Sequence, residues 1–460
     1  MWTSAKSKTN MARTLNMTQG KPMKLLFLFA LPLMGGNVFQ QLYTVVDTAI
    51  VGRGVGLDAL AALGTVDWLN WMMLGLAQGF TQGFSVRISQ KYGEGDLPRL
   101  KQIVAQSAVL TVLIALCGAV LSQLCLPLFL RMLRVPPQLQ GMAALYTRIL
   151  FGGFPAVMFF NYCSAVLRAV GDSKTPLMAM SAAAVSNIIL DAVAVFWLGW
   201  GIAGAAAATV AAQILSGIIC VWRILKTPEL HFSRSLLKPD AALCADLARL
   251  GAPMAIKNVI IALGGMVIQT VVNGFTMSFI AGFTATNKLY GLLEIAALSY
   301  GYAVTTYVGQ NYGAGNYSRI RCGMKAAVVL SLSTAAVIAG LMFGFGRPIT
   351  LLFISAEDAA LVAAAGQTAY HYLCVMSAAL PVLYLLYVYQ AALQGMGNSV
   401  VPMLSGIIEF ALRLGGAALI AFTGYQNGIF GAEVSAWIGA AVFLGIHYYR
   451  SVKRMEQTQS

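Results

Sequence analysis

Three polar side chains that can bind a cation lie inside long apolar segments of the sequence. Asp47 lies near the end of the first segment, and Asn187 and Asp191 lie in the fifth. Asn187 and Asp191 are four positions apart, so a helix would place them on one face. Oxygen-bearing groups of this kind bind hard cations or carry a transferable proton. For Asp47 there is an alternative interpretation, an interfacial residue paired with Arg53.

A second set of charged residues lies in the other half of the chain. Glu409 and Arg413 are four positions apart, so they could pair on one helix face or contact a substrate. Lys288 and Glu294 are six apart and do not share a face well. The seventh apolar segment contains Lys257 and no acid. A charged group at the bilayer centre costs at least about 2.5–3.5 kcal/mol, which makes such residues functional candidates.

The composition of the chain is that of a membrane protein. Of 460 residues, 58% are hydrophobic and 10% are charged, and the mean hydropathy is +0.74. Soluble domains carry about 25% charged residues, so this chain has too little polar surface to cover a globule in water. The net charge of +14 comes from Lys and Arg in alternate connections between the apolar segments. Such a pattern indicates the orientation of the chain in the membrane and not a nucleic-acid-binding surface.

The elements that must position these residues are long apolar segments. Each transmembrane helix needs about 20 apolar residues, and the sequence predicts an all-α integral membrane protein of about twelve such helices. The alternating charge of the connections predicts that both termini are cytoplasmic. The expected divisions are an N-terminal tail 1–23, an N-lobe 24–226, a cytoplasmic linker 227–245, a C-lobe 246–450 and a C-terminal tail 451–460.

An internal repeat relates the two halves. Six helices per copy give both copies the same orientation, and transporters built from such parallel repeats bind substrate between them. In this alignment Arg413 takes the place of Asn187, which predicts that the acidic site belongs to the first half only. The repeated motifs are Gln-Lys-Tyr-Gly-Glu-Gly at 90–95 with Gln-Asn-Tyr-Gly-Ala-Gly at 310–315, Gly-Asp-Ser at 171–173 with Gly-Asn-Ser at 397–399, and 201–205 with 428–432.

Other classes of function find no support in the residue pattern. The seven Cys form no Cys-x-x-Cys pair, and the three His are far apart, so neither a resident metal nor a disulfide is expected. A membrane-embedded enzyme would need a nucleophile and base or a metal constellation, and a channel would need filter loops. We therefore expect no catalytic residue and no cofactor.

Taken together, these segments resemble the multidrug and toxic compound extrusion (MATE) transporters over nearly the whole chain. The resemblance is greatest to the DinF-like branch, and it implies a V-shaped arrangement of the two six-helix bundles. The stretches that carry it are Pro32, Val-Val-Asp-Thr at 45–48, 90–95, 168–176, 187–191, 201–209 and 308–315.

The resemblance also implies a mechanism and a set of residues. The coupling ion, H⁺ or Na⁺, would bind in the N-lobe at Asp47, Asn187, Asp191 and Thr209, with Tyr43 and Tyr146 lining the same cavity. It implies an antiporter of the cell membrane that acts as a monomer among lipids and exports amphipathic or cationic organic compounds. The alternative within the same superfamily is a flippase for lipid-linked oligosaccharides.

Overall fold

The computed structural model describes residues 14–133, 135–354 and 359–457, without the side chains of Ala359 and Glu456. These residues form thirteen α-helices, one π-helical turn and two short 3₁₀ helices, and no described residue lies in a β-strand. The expected all-α class is therefore confirmed. Parts of the two expected tails, residues 1–13 and 458–460, lie outside the described residues.

Seven helices and the π-turn come from the first part of the chain. The fourth and fifth helices are separated by one residue and bent by 43°, and together they form one apolar segment. The helices are α1 (Pro22–Gly54), α2 (Leu57–Glu94), α3 (Leu97–Met132), α4 (Pro137–Gly152), α5 (Phe154–Ala169), α6 (Lys174–Ala192, followed by the π-turn Val193–Trp197) and α7 (Gly201–Ile224).

Six further helices follow the 3₁₀ helices Pro228–Leu230 and Arg234–Leu237. The last of them continues to Gln457, beyond the expected end of the C-lobe at 450. The helices are α8 (Ala241–Val272), α9 (Met277–Gly313), α10 (Tyr317–Leu351), α11 (Ala359–Gly395), α12 (Val400–Thr423) and α13 (Gly428–Gln457).

The length and hydropathy of these helices agree with about twelve membrane spans. Within the described residues, ten helices are long and apolar enough to cross a bilayer, and the bent pair α4 and α5 gives an eleventh. The remaining helix, α9, has 37 residues and is long enough, but it contains Lys288 and Glu294 and no stretch of it is apolar enough to be counted. Its polar residues are therefore the reason that hydropathy alone does not count it.

Internal contacts divide the chain into two compact units. The first unit comprises Leu31–Ala255 with the described residues before Gly20, and the second comprises Gly20–Ala30 and the chain from Ile256 onward. Helices α1 and α8 each belong to both units, whereas the sequence assigned whole helices to each half. Pro32 and Pro253 lie inside these two helices close to the points of division. Proline removes a backbone hydrogen bond from a helix, which weakens its continuity there.

The backbone of the repeated turns confirms the internal repeat. Gly95 and Gly315 both have positive φ, at 81° and 69°, and each N–H donates to the tyrosine carbonyl three residues earlier. Gly171 and Gly397 have φ of 92° and 88°. Side chains with a Cβ rarely adopt this region, so glycine is required at these equivalent turns.

The two copies of the second turn differ in charge. Asp172 Oδ1 accepts a hydrogen bond of 2.9 Å from the N–H of Thr175, and Asn398 Oδ1 accepts the equivalent bond of 3.1 Å from Val401. Only Asp172 also pairs with a buried arginine, Arg223, whose Nε lies 3.1 Å from Oδ2. The amide of Asn398 shows that the turn itself does not need a carboxylate.

The side chain of Gln106 attaches the connection between α7 and α8 to helix α3. The Gln106 amide on α3 donates to the carbonyl oxygens of Leu236 and Lys238, each at 2.6 Å. Its carbonyl oxygen accepts from the N–H of Asp240 at 3.0 Å. These bonds satisfy backbone groups that have no helical partner at the start of α8.

Close packing of α2 against the first part of α8 depends on glycine. A Cβ on Gly83 would overlap the backbone of Gly251, and a Cβ on Gly79 would overlap that of Ala255. Backbone atoms cannot move aside as a flexible side chain can. Small residues at such crossings allow membrane helices to approach each other closely.

We expect Gly83→Leu to destabilise the protein by at least the about 1–3 kcal/mol typical of an overpacked core, because α2 and α8 would have to separate. The measurement is the midpoint of thermal unfolding in detergent. The matched control is Gly64→Leu on the same helix, where nothing lies within 4 Å of the added Cβ. Equal unfolding temperatures for the two variants would contradict the close contact of α2 with α8.

We expect Asp172→Asn to lower the free energy of unfolding by about 3–5 kcal/mol, because Arg223 would keep its buried charge without a partner. The double variant Asp172→Asn with Arg223→Met removes both charges and should recover much of this loss. Thermal unfolding of both variants tests the prediction. If the double variant is no more stable than the single one, the unpaired charge is not the cause.

Candidate functional site

The end of helix α1 and the end of α6 place two acids together in the first unit. A side chain at Gly54, the last residue of α1, would clash with Val195 and Phe196 in the π-turn that follows α6. The absence of that side chain lets the two helix ends touch. Asp47 lies two helical turns before Gly54, and Asp191 lies one turn before Val195. Packing of the helix ends thus brings the two acids to the same depth.

The carboxyl groups of Asp47 and Asp191 lie close enough to interact electrostatically. Asp191 is fully buried and Asp47 is 8% exposed. Among the described residues no donor group supplies a hydrogen bond to Asp47 Oδ1 or to either oxygen of Asp191. Two adjacent carboxylates in a site of low polarity can both be ionised only if a cation lies between them. Otherwise the pair shares a proton.

Asn187 lies one turn before Asp191 on α6 and is also fully buried. Neither its Oδ1 nor its Nδ2 has a hydrogen-bond partner in the described part of the chain. Leaving a buried amide unpaired costs free energy, so each such group in a native structure requires an explanation. The amide oxygen and the carboxylate oxygens together form a set of hard ligands that fits a proton or Na⁺.

Two tyrosines belong to the same neighbourhood, as the family resemblance implied. Tyr43 lies one turn before Asp47 on α1 and interacts electrostatically with both acids. Tyr146, from α4, is buried and interacts with Asp47, Asp191 and Tyr43. The first unit therefore brings together Asp47, Asp191, Tyr43 and Tyr146 from three helices.

Thr209 is the member of the predicted set with the weakest structural connection. It is half-buried on α7, and within the described ranges its hydroxyl makes no hydrogen bond to either acid or to Asn187. Its helix packs against α6, which contains Asn187 and Asp191. Its role as a ligand stays a prediction.

Sequence reasoning did not single out two residues close to this site. Asp67 is exposed on α2 and interacts electrostatically with Tyr146. Thr147, adjacent to Tyr146, is fully buried, and its hydroxyl has no partner among the described residues. A charge inside the second apolar segment was a signal that could have identified Asp67. Nothing in the sequence distinguishes Thr147 from an ordinary helix residue.

In the second unit, Glu409 and Arg413 pair as their spacing on one helix predicts. Arg413 Nη1 lies 3.6 Å from Glu409 Oε2. Arg413 Nε also donates to Glu433 Oε2 on α13 at 3.0 Å, a partner that sequence reasoning missed. Arg413 and Glu433 lie on different helices, and no helical spacing relates them. Only the packing of α12 against α13 therefore reveals this pair.

Buried acids also occur in the second half, and the assignment of the ion-binding acidic site to the first half only stays a prediction. Glu409 is 4% exposed, and half-buried Glu294 accepts a hydrogen bond from the hydroxyl of Tyr387. Lys288 is exposed and lies apart from Glu294, in agreement with their six-residue spacing. The difference between the halves is that the acids of the second unit are accompanied by buried cations.

No group of three or more acids, histidines and cysteines suited to a metal occurs within the ranges that the structure describes. The first-unit site has two carboxylates and one amide.

Comparisons with known proteins agree with this architecture. The MatE family model matches residues 32–193 and 253–419, and both matches begin at the prolines that lie near the division of the units. The probable multidrug resistance protein YpnP of Bacillus subtilis is 30% identical over 346 residues, which cover 74% of this chain and 77% of the relative. The probable multidrug resistance protein NorM of Thermotoga maritima is 26% identical over 428 residues, covering 90% and 88%.

A solved structure shows the same fold. A transporter of the MOP superfamily from Pyrococcus furiosus matches with a TM-score of 0.88 at 21% identity, over 96% of this chain and 98% of that one. The family model covers well over half of the chain, and its proteins are transporters rather than enzymes. The resemblance inferred from the sequence is confirmed, and the chain belongs to the MatE family.

Proposed function

We propose that this protein is a secondary active efflux antiporter that exports amphipathic, cationic organic compounds in exchange for H⁺ or Na⁺. The observation that carries the proposal is the pair of neighbouring buried carboxyl groups, Asp47 and Asp191, with no hydrogen-bond partner for three of their oxygens among the described residues. Relatives named as probable multidrug resistance proteins support the substrate class. The residue pattern agrees best with the DinF-like branch, in which the N-lobe binds the ion.

The antiport mechanism follows from the energetics of that pair. A cation that enters the site neutralises Asp47 and Asp191, and it thereby stabilises the conformation in which they are together. Movement to the other access state must separate or hydrate them, which favours release of the cation. If the organic substrate binds more tightly to the state without the cation, the two ligands are coupled, and the coupling free energy is reciprocal.

Each named side chain has a part in this cycle. Asn187 supplies a neutral oxygen beside Asp191, and Thr209 would add a hydroxyl from α7. Tyr43 and Tyr146 limit access of water and line the cavity. The protein would act as a monomer in the cell membrane without a cofactor, with both termini in the cytoplasm, as the basic connections indicate.

We expect Asp191→Asn to abolish gradient-driven efflux while leaving folding and insertion intact, because the amide has the size of the acid but cannot take up a proton or balance a cation. The measurement is ethidium efflux from proteoliposomes that contain equal amounts of folded protein. The matched control is Asp58→Asn, an exposed acid at the start of α2. Efflux by Asp191→Asn at the rate of the original protein would overturn the site assignment.

We also expect a gradient of one cation alone, either H⁺ or Na⁺, to drive export of ethidium or norfloxacin. The same oxygens can accept either cation, so each gradient is applied in the absence of the other. The identity of the ion is given by the gradient that works, and Asp191→Asn should eliminate that response. Failure of both gradients with the original protein would contradict coupled antiport.

A further inference from the structure

The second unit brings together five charged side chains from four helices, three of them buried and two half-buried. We call them the second-unit charge cluster. Lys257 and Glu409 are each 4% exposed and Arg413 is 7% exposed. The members are Lys257 on α8, Glu294 on α9, Glu409 and Arg413 on α12, and Glu433 on α13.

Close helix packing brings Lys257 to Glu409. A Cβ on Gly406 would lie 2.8 Å from Lys257 Cγ, so α8 crosses α12 where glycine leaves room. Gly406 lies one turn before Glu409 on the same helix face. The Lys257 ammonium donates to the side-chain oxygen of Gln390 on α11 and interacts electrostatically with Glu409 and Glu294.

The formal charges of the cluster do not balance. It contains three carboxyl groups and two cations, so full ionisation would leave one uncompensated negative charge. The charged groups that face Glu409 are Arg413 on its own helix, Lys257 on α8, Glu433 on α13 and Glu294 on α9. Burying an uncompensated charge is expensive, and a buried acid usually avoids the cost by becoming neutral.

Hydrogen bonds distinguish the three acids. Glu433 accepts from Arg413 Nε at 3.0 Å, and Glu294 accepts from Tyr387. Glu409 interacts with Lys257 and has a 3.6 Å contact with Arg413, but its Oε1 is buried with no hydrogen-bond partner among the described residues. Of the three, Glu409 has the least support as an anion.

We propose that Glu409 holds one exchangeable proton, which makes the charge cluster of the second unit neutral. Side chains as buried as Glu409, Lys257 and Arg413 leave no surface for a hydrated metal ion or an organic cation. The site is separate from the Asp47 and Asp191 pair, which lies in the first unit. The proposal does not depend on the transported substrate or on the direction of transport.

A proton at this position makes the packing of the second unit sensitive to pH. The cluster and its partners Tyr387 and Gln390 join five helices, α8, α9, α11, α12 and α13. Loss of the proton would leave a buried negative charge among them. Binding and release of this proton would therefore favour different arrangements of these helices.

The test is infrared spectroscopy of the full chain in lipid nanodiscs at neutral pH, following the C=O stretch of a protonated carboxylic acid. The double variant Asp47→Asn with Asp191→Asn removes any protonated-acid signal that these two residues of the first unit contribute. In that background we expect one protonated-acid band, and adding Glu409→Gln should remove it. Because glutamine is neutral like the protonated acid, this variant should retain the fold. Adding Asp58→Asn instead, at an exposed acid, should leave the band unchanged.

A second variant tests the charge balance without changing Glu409. Lys257→Met removes one cation, so a second carboxyl should take up a proton and the band area should about double. The proposal is overturned if the background variant has no such band, or if Lys257→Met leaves its area unchanged. It is also overturned if the band survives Glu409→Gln and disappears with Glu294→Gln or Glu433→Gln. None of these infrared measurements depends on efflux. A failure of this proposal can therefore be distinguished from a failure of the proposed transport function.

Discussion

A carboxylate at membrane depth must be neutralised, and this constraint governs both units. In water an ionised aspartate is stable alone, but between apolar helices it needs a proton, a cation or strong hydrogen bonds. The first unit supplies none of these to Asp191 from its described protein groups. A neutralising proton or cation from outside the protein would meet this need, and this is the physical basis of the proposed antiport.

The second unit meets the same constraint with its own residues. Arg413 lies between two glutamates, and Lys257 approaches from another helix. The repeat explains part of this difference, because Arg413 occupies the position equivalent to Asn187. The two copies thus keep the same turns and helices, while one leaves its acids available to an external cation and the other largely compensates them.

The positions of these charges depend on glycine and proline more than on the charges themselves. Gly54 lets the ends of α1 and α6 touch, and Gly406 lets α8 approach α12. Pro32 and Pro253 interrupt equivalent helices near the points where the chain passes from one unit to the other. These residues carry no chemistry of their own, but a larger side chain at either glycine would displace an acid or its partner.

The sequence alone determined the all-α class, about twelve spans, the repeat, and the shared face of Asn187 and Asp191, because hydropathy, helical period and turn glycines are local properties. It also gave the pairing of Glu409 with Arg413, which needs only one helix, as one of two interpretations. The family resemblance implied that Asp47 and Asp191 belong to one site, but only the tertiary structure placed them together, and only it paired Arg413 with Glu433. Those contacts arise between helices distant in the chain, and their geometry depends on close packing that no local pattern encodes.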